Sequence, residues 1–244
     1  MSRPARKVPA VTPVYRVALV SGANRGLGFE VARQLSEQGM TVLLGARDPD
    51  KGLRAARQLA GAPGEVIAVQ LDVTQQDQVD TLARWIAIAY GRLDVLVNNA
   101  GGYYDPDASA SDGDIGTARA ALETHLFGSW RLTSAMLPLM HRHAYGRIVN
   151  VSSGCAANSS RSPHCVAYRT SKSALNAYTR TLAEELDGSG IVVNAVCPGW
   201  VATALGGPGG RPVEHGAAGV VWAASLPAPA PTGQFFRDGQ HIAW

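Results

Sequence analysis

The chain has 244 residues, 46% of them hydrophobic, enough for the core of one large domain. Its net charge of +3 resides in Arg3, Arg6 and Lys7; removing these three from 22 basic residues leaves 19 against 19 acidic ones, which argues against a nucleic-acid partner or an anionic membrane surface. Three cysteines, Cys155, Cys165 and Cys197, are too few for a disulfide framework and fit a reducing cytoplasm, and no run approaches the ~20 apolar residues that span a bilayer.

Residues 1–13 contain three prolines and no long apolar run, and read as a disordered tail before a single domain over 14–244. A first strand is expected over 14–20, followed by the turn Ser21-Gly22-Ala23-Asn24-Arg25-Gly26-Leu27-Gly28 and a helix over 27–38. Strand, glycine-rich turn and helix in that order form a dinucleotide cradle, with the pyrophosphate at the helix N-terminus. The spacing here is Gly-x-x-x-Gly-x-Gly. Further strands are expected at 41–46, 65–70, 93–97, 147–152, 191–196 and near 234–236. Helical patterns fall near 50–60, 75–90, 115–142 and 166–187. Such alternation predicts an α/β fold: a single Rossmann-type, doubly wound domain with a parallel sheet of about seven strands and helices on both faces. Segments 204–212 and 227–231 read as loops, the first of them mobile.

The second strand ends Gly45-Ala46-Arg47-Asp48. An acid closing this strand would bind the adenosine ribose hydroxyls and exclude a 2′-phosphate. Ala46 holds that place, and Arg25 and Arg47 can converge on a 2′-phosphate instead. This favours NADP(H); Asp48 is the dissenting residue.

Tyr168 and Lys172 stand four apart, on one face of the predicted helix. An ammonium beside a phenol favours phenolate and lowers its pKa, which suits proton transfer at a substrate oxygen. Ser152 and Ser153 follow the fifth strand, at the sheet edge where ligands bind, and Ser153 could hold the reacting oxygen. His141 and His143 lack a third ligand and the cysteines lack metal spacing, so no metal is expected. Cys155, Tyr103, Tyr104 and Trp200 are candidates for a substrate pocket built from 102–115, 154–166 and 204–214.

In order, these motifs resemble the short-chain dehydrogenase/reductase family, and within it carbonyl reductase-like members. They are Ser21–Gly28, Leu71-Asp72-Val73, Asn98-Asn99-Ala100-Gly101, Ser153, Tyr168, Lys172, Pro198-Gly199-Trp200-Val201-Ala202-Thr203 and the ending Gly233-Gln234-Phe235-Phe236 to Trp244. The resemblance implies that Tyr168 is the general acid, that Lys172 lowers its pKa and holds the nicotinamide ribose, and that Ser153 orients the carbonyl. It further implies cofactor contacts from Gly22, Asn24, Arg25, Gly26, Leu27, Gly28 and Arg47. Asp72 and Val73 would meet the adenine, and Asn99, Ala100 and Gly101 would pack alongside. Pro198 and Gly199 belong to the same set, and Val201 and Thr203 would hold the carboxamide. A homodimer or homotetramer through the fourth and fifth crossover helices is implied as well.

Two departures stand out. His125 occupies the place of the family's asparagine, which supports a water relay behind the lysine. A neutral imidazole has one donor and one acceptor and could bridge that water, giving activity an acid limb near pH 6.5. Ser153 also lies 15 residues before Tyr168, slightly more than is common. The expected activity is NADPH-dependent reduction of a small ketone or aldehyde, or oxidation of the alcohol. The alternative is a redox-neutral epimerase, dehydratase or cyclase, for which His125 is the only support; a non-catalytic NADP sensor is a third reading, opposed by the intact Ser153, Tyr168 and Lys172.

Overall fold

The computed structural model describes residues 15–157 and 164–244. The expected tail at 1–13 lies outside the described residues, as do six positions, 158–163, of the segment before Tyr168. Strands and helices alternate along the chain: β1 Val17–Val20, α1 Gly26–Glu37, β2 Thr41–Ala46, α2 Pro49–Gln58, β3 Val66–Gln70, α3 Gln76–Ala89 and β4 Val95–Asn98. The second half continues with α4 Ile115–Leu122, α5 Gly128–His141, β5 Gly146–Val151, α6 Val166–Glu185, β6 Ile191–Val196, α7 Val213–Ala224, β7 Phe235–Arg237 and β8 Gln240–His241.

The strands form one sheet in the order β3-β2-β1-β4-β5-β6-β7-β8. All neighbours are parallel except β7 and β8. The described sheet thus has eight strands where about seven were expected; the eighth is a two-residue antiparallel return after β7.

The period of two in each strand divides the core. Ala18, Val20, Val42, Leu44, Val95 and Val97 face α1 and α7. Val17, Leu19, Leu43, Leu96, Ile148 and Val193 face α3, α5 and α6. Both faces are covered, which is why these strands are apolar on both sides. The helix α7 was not expected from the sequence. Its segment Val213–Ala224 carries two internal glycines and is apolar nearly all round, so no amphipathic stripe marks it.

The predicted 115–142 helix is interrupted. Between α4 and α5 the chain makes a π-helical turn over Glu123–Phe127. Such turns insert a residue into the helix and recur at functional sites. His125 sits in it, fully buried at 0% exposure. The 204–212 segment is a loop, tied down by bridges Val201–Arg211 and Thr203–Gly207. β1 is flanked by β2 and β4, so the chain order reverses there, and a crevice opens beyond the carboxyl ends of these strands.

Candidate active site

That crevice is a cleft of about 1440 Å³. It gathers Gly22, Asn24, Arg25, Gly26, Leu27, Gly28, Arg47, Asp72, Val73, Asn99, Ala100, Gly101, Ser153, Tyr168, Lys172, Pro198, Gly199, Val201 and Thr203. Every expected site residue except His125 therefore borders one space.

The glycine turn is held open by specific contacts. Gly22 has φ +64°, and a Cβ there would lie 2.9 Å from Ala100 Cα. Only glycine fits that approach. The Asn99 side-chain amide donates to Ser21 O at 2.9 Å and Gly22 O at 3.1 Å, and Ser21 Oγ accepts from the Asn99 and Ala100 backbone amides. These bonds shape the cradle. The N-terminus of α1 has no side-chain cap and no acid in its first turn, whereas Asp48 caps α2 and Asp114 caps α4. Uncapped amides at a helix start bordering a cleft fit a pyrophosphate.

At the adenosine end, Arg25 and Arg47 are joined by Lys51, which the sequence reading missed. Asp48, the dissenting acid, is committed elsewhere. Its carboxylate accepts from the Lys51 backbone amide at 3.1 Å and lies 3.3 Å from Lys51 Nζ. A capping acid fits the bracing of three cations better than the binding of a ribose. Asp72 braces its own turn, accepting from Thr74 N and Oγ1 at 3.0 and 2.8 Å.

At the other end, Tyr168 meets Ser153 by a hydrogen bond and packs edge-on against Tyr104 at 5.5 Å between ring centroids. Ser153 Oγ also lies 3.1 Å from Cys155 Sγ. Lys172 is buried, and its Nζ donates to Val151 O at 2.7 Å. Burial lowers the Lys172 pKa to about 8. Burial pushes the Tyr168 phenol above its ordinary range, and the Ser153 bond opposes this only in part. The expected lowering of the tyrosine is not seen: Lys172 Nζ lies 5.8 Å from the Tyr168 ring centroid, and desolvation is the largest influence on the phenol. Tyr168 is thus an acid that keeps its proton at neutral pH.

His125 lies behind the cleft, and its expected roles need correction. Gly102 N–H donates to its Nε2 at 3.1 Å, so that nitrogen carries no proton. Nδ1–H then donates to Ser171 Oγ at 2.8 Å, and the Ser171 hydroxyl donates to the Tyr168 backbone carbonyl at 2.8 Å. A neutral imidazole has two polar atoms and both are used, which leaves none for a relay water behind Lys172. Burial and the Lys172 charge lower its pKa to about 2, so no acid limb at pH 6.5 originates here. His125 instead ties the loop after β4 to the helix bearing Tyr168.

Asp105 was also missed. Its carboxylate accepts from Ala167 N at 2.9 Å and Tyr168 N at 3.1 Å, capping α6 from 62 residues away. No local pattern signals a cap supplied from so far. The remaining wall includes Tyr103, Tyr104, Cys155, His164, Trp200, Leu205 and Arg237.

The family model for short chain dehydrogenases matches residues 16–210. The chain is 34% identical to short-chain dehydrogenase/reductase 1 of Saponaria officinalis, over 92% of this chain and 95% of that one. It is 33% identical to carbonyl reductase [NADPH] 3 of Rattus norvegicus, over 94% and 98%. Among solved structures, a metagenomic short-chain oxidoreductase in complex with NADP superposes with a TM-score of 0.77 at 30% identity, covering 91% and 96%. With a nucleotide cradle at one end of a cleft and Ser153, Tyr168 and Lys172 at the other, the chain belongs to the short-chain dehydrogenase family.

Proposed function

We propose that this protein reduces the carbonyl group of a small ketone or aldehyde with NADPH, with Tyr168 as general acid. The observation that carries this reading is the convergence of the Tyr168 and Ser153 hydroxyls at the edge of a cradle whose far end is cationic. When bound, NADPH supplies the hydride. The uncapped start of α1 would hold its pyrophosphate, Arg25, Arg47 and Lys51 its 2′-phosphate, and Lys172 its nicotinamide ribose. Ser153 holds the carbonyl oxygen, and Tyr168 gives it a proton as the alcohol forms. The protonated phenol is the form that can act as the acid in reduction. The carbonyl reductase [NADPH] of rat and the NADP-bound metagenomic enzyme support the same cofactor.

Tyr103, Tyr104 and Trp200 line the substrate end and suit an aromatic or alicyclic substrate. The redox-neutral alternative loses its only support, since His125 is a neutral, doubly bonded strut. Ile115, Phe127 and Trp130 are exposed on α4, the π turn and α5, which together form the fourth crossover; this supports a homodimer or homotetramer through it and the fifth crossover helix, α6. Among the described residues no helix is long and apolar enough to cross a membrane. All three cysteines are free, which supports a cytoplasmic setting.

Tyr168→Phe removes the proton and leaves the ring. Its kcat in NADPH-dependent carbonyl reduction is expected to fall by at least ~10², the scale of general acid catalysis. A variant with near wild-type kcat would remove Tyr168 from the mechanism.

A further inference from the structure

The substrate end of the cleft holds an arginine with an unusual partner. Arg237 closes β7 and borders the cleft beside Ser153, Gly154 and Cys155. Its guanidinium lies against the backbone of Gly154, where a side-chain methyl would collide with Nη2. Nη2 donates to Cys197 Sγ at 3.0 Å. The same sulfur accepts from Gly154 N–H at 3.0 Å and from Gly199 N–H at 3.4 Å. The sulfur thus anchors one corner of the guanidinium, next to the residue that follows Ser153.

Sulfur is a weak acceptor for an arginine. Arg33, Arg92, Arg131 and Arg211 each pair with a carboxylate. Asp238, the neighbour of Arg237 in sequence, gives both oxygens to Arg211 at 2.8 and 3.0 Å. The described acids of the cleft wall are Asp48 and Asp72, both at the adenosine end. His164 and Arg169 border the same substrate end. The carboxylates nearest this end, Asp105 and Asp238, are taken up by the first amides of α6 and by Arg211, so no carboxylate of the described cleft wall is paired with Arg237.

We infer that Arg237 is a specificity-determining residue, selecting carbonyl substrates that carry a carboxylate. The guanidinium presents a planar fork suited to two carboxylate oxygens. Held at Gly154, it would orient an acid group while the carbonyl of the same molecule sits at Ser153 and Tyr168. This inference rests on the reductase reading, and its test separates the two.

The probes are 3- and 4-carboxybenzaldehyde and their methyl esters, followed by NADPH oxidation. The wild type should favour the acids in kcat/KM, and Arg237→Gln should lower the acid-to-ester ratio by roughly tenfold or more, the scale of a lost charge-assisted bond. Arg237→Lys should restore part of the ratio. An unchanged ratio in Arg237→Gln, or a wild type preferring the esters, overturns the inference. Benzoate and methyl benzoate are also titrated calorimetrically into the wild-type NADP⁺ complex. Selective benzoate binding that Arg237→Gln weakens supports the subsite even without aldehyde turnover, in which case the reductase reading alone fails. Equal binding of both compounds to the wild type overturns the subsite, and needs no folded variant.

Discussion

A single buried ring shows how placement decides chemistry at the residue scale. A histidine in water titrates near pH 6.5, but His125 is stripped of water and lies near the Lys172 ammonium, so its pKa falls to about 2. The unfolded chain therefore binds a proton below pH 6.5 that the folded chain refuses. Folding stability should be complete above pH 6.5 and decline as pH falls below it, by about 1.4 kcal/mol per unit from this group. Urea unfolding midpoints at pH 7.5, 6.5 and 5.5 test this against His125→Asn, which should lose that part of the slope. Identical slopes in the two proteins would show that His125 is not held neutral. The presence of His125 at a family asparagine position was legible in the sequence. Its tautomer was not, because Gly102 and Ser171 reach it from 23 residues before and 46 after.

At the scale of elements, the reactive groups are positioned by ends and interruptions more than by helix interiors. The tyrosine helix α6 starts at Val166, two residues before Tyr168, and its first amides are bound by Asp105. Removing a cap costs about 1 kcal/mol and frays the first turn. Asp105→Ala should lower stability by about that amount in denaturant unfolding. It should also lower kcat with little change in KM for NADPH, since α6's start carries the acid and not the adenosine site. Asp105→Asn keeps an acceptor oxygen and should recover most of both losses. A full wild-type kcat in Asp105→Ala would mean that Tyr168 is held by its packing alone. Most boundaries of α1 to α6 fell within two residues of the expected ones, because apolar period and turn chemistry are local. The π turn and α7 escaped, the first because its extra residue leaves the apolar pattern almost unchanged, the second because its two internal glycines and apolar surface hide the period.

The whole molecule brings together groups that no window of sequence shows as neighbours. Arg25 comes from the turn after β1, Arg47 from the end of β2 and Lys51 from the first turn of α2, yet all three border the adenosine end of the cleft. Arg25→Ala and Arg47→Ala should each raise KM for NADPH by roughly tenfold, as loss of a charged hydrogen bond to phosphate predicts, and leave KM for NADH nearly unchanged. Equal changes with both cofactors would assign these arginines to general electrostatics instead of the 2′-phosphate. By itself the sequence determined the α/β alternation, the glycine cradle, the Tyr168–Lys172 pair and the absence of an acid after β2, since each depends on residue type at short spacing. Only the tertiary structure decided that His125 is neutral and fully bonded, that burial holds the Tyr168 proton on, and that Arg237 reaches Gly154. Those outcomes depend on desolvation and on contacts between segments tens of residues apart, which are set by the register of the strands and the packing of helices on both faces of the sheet.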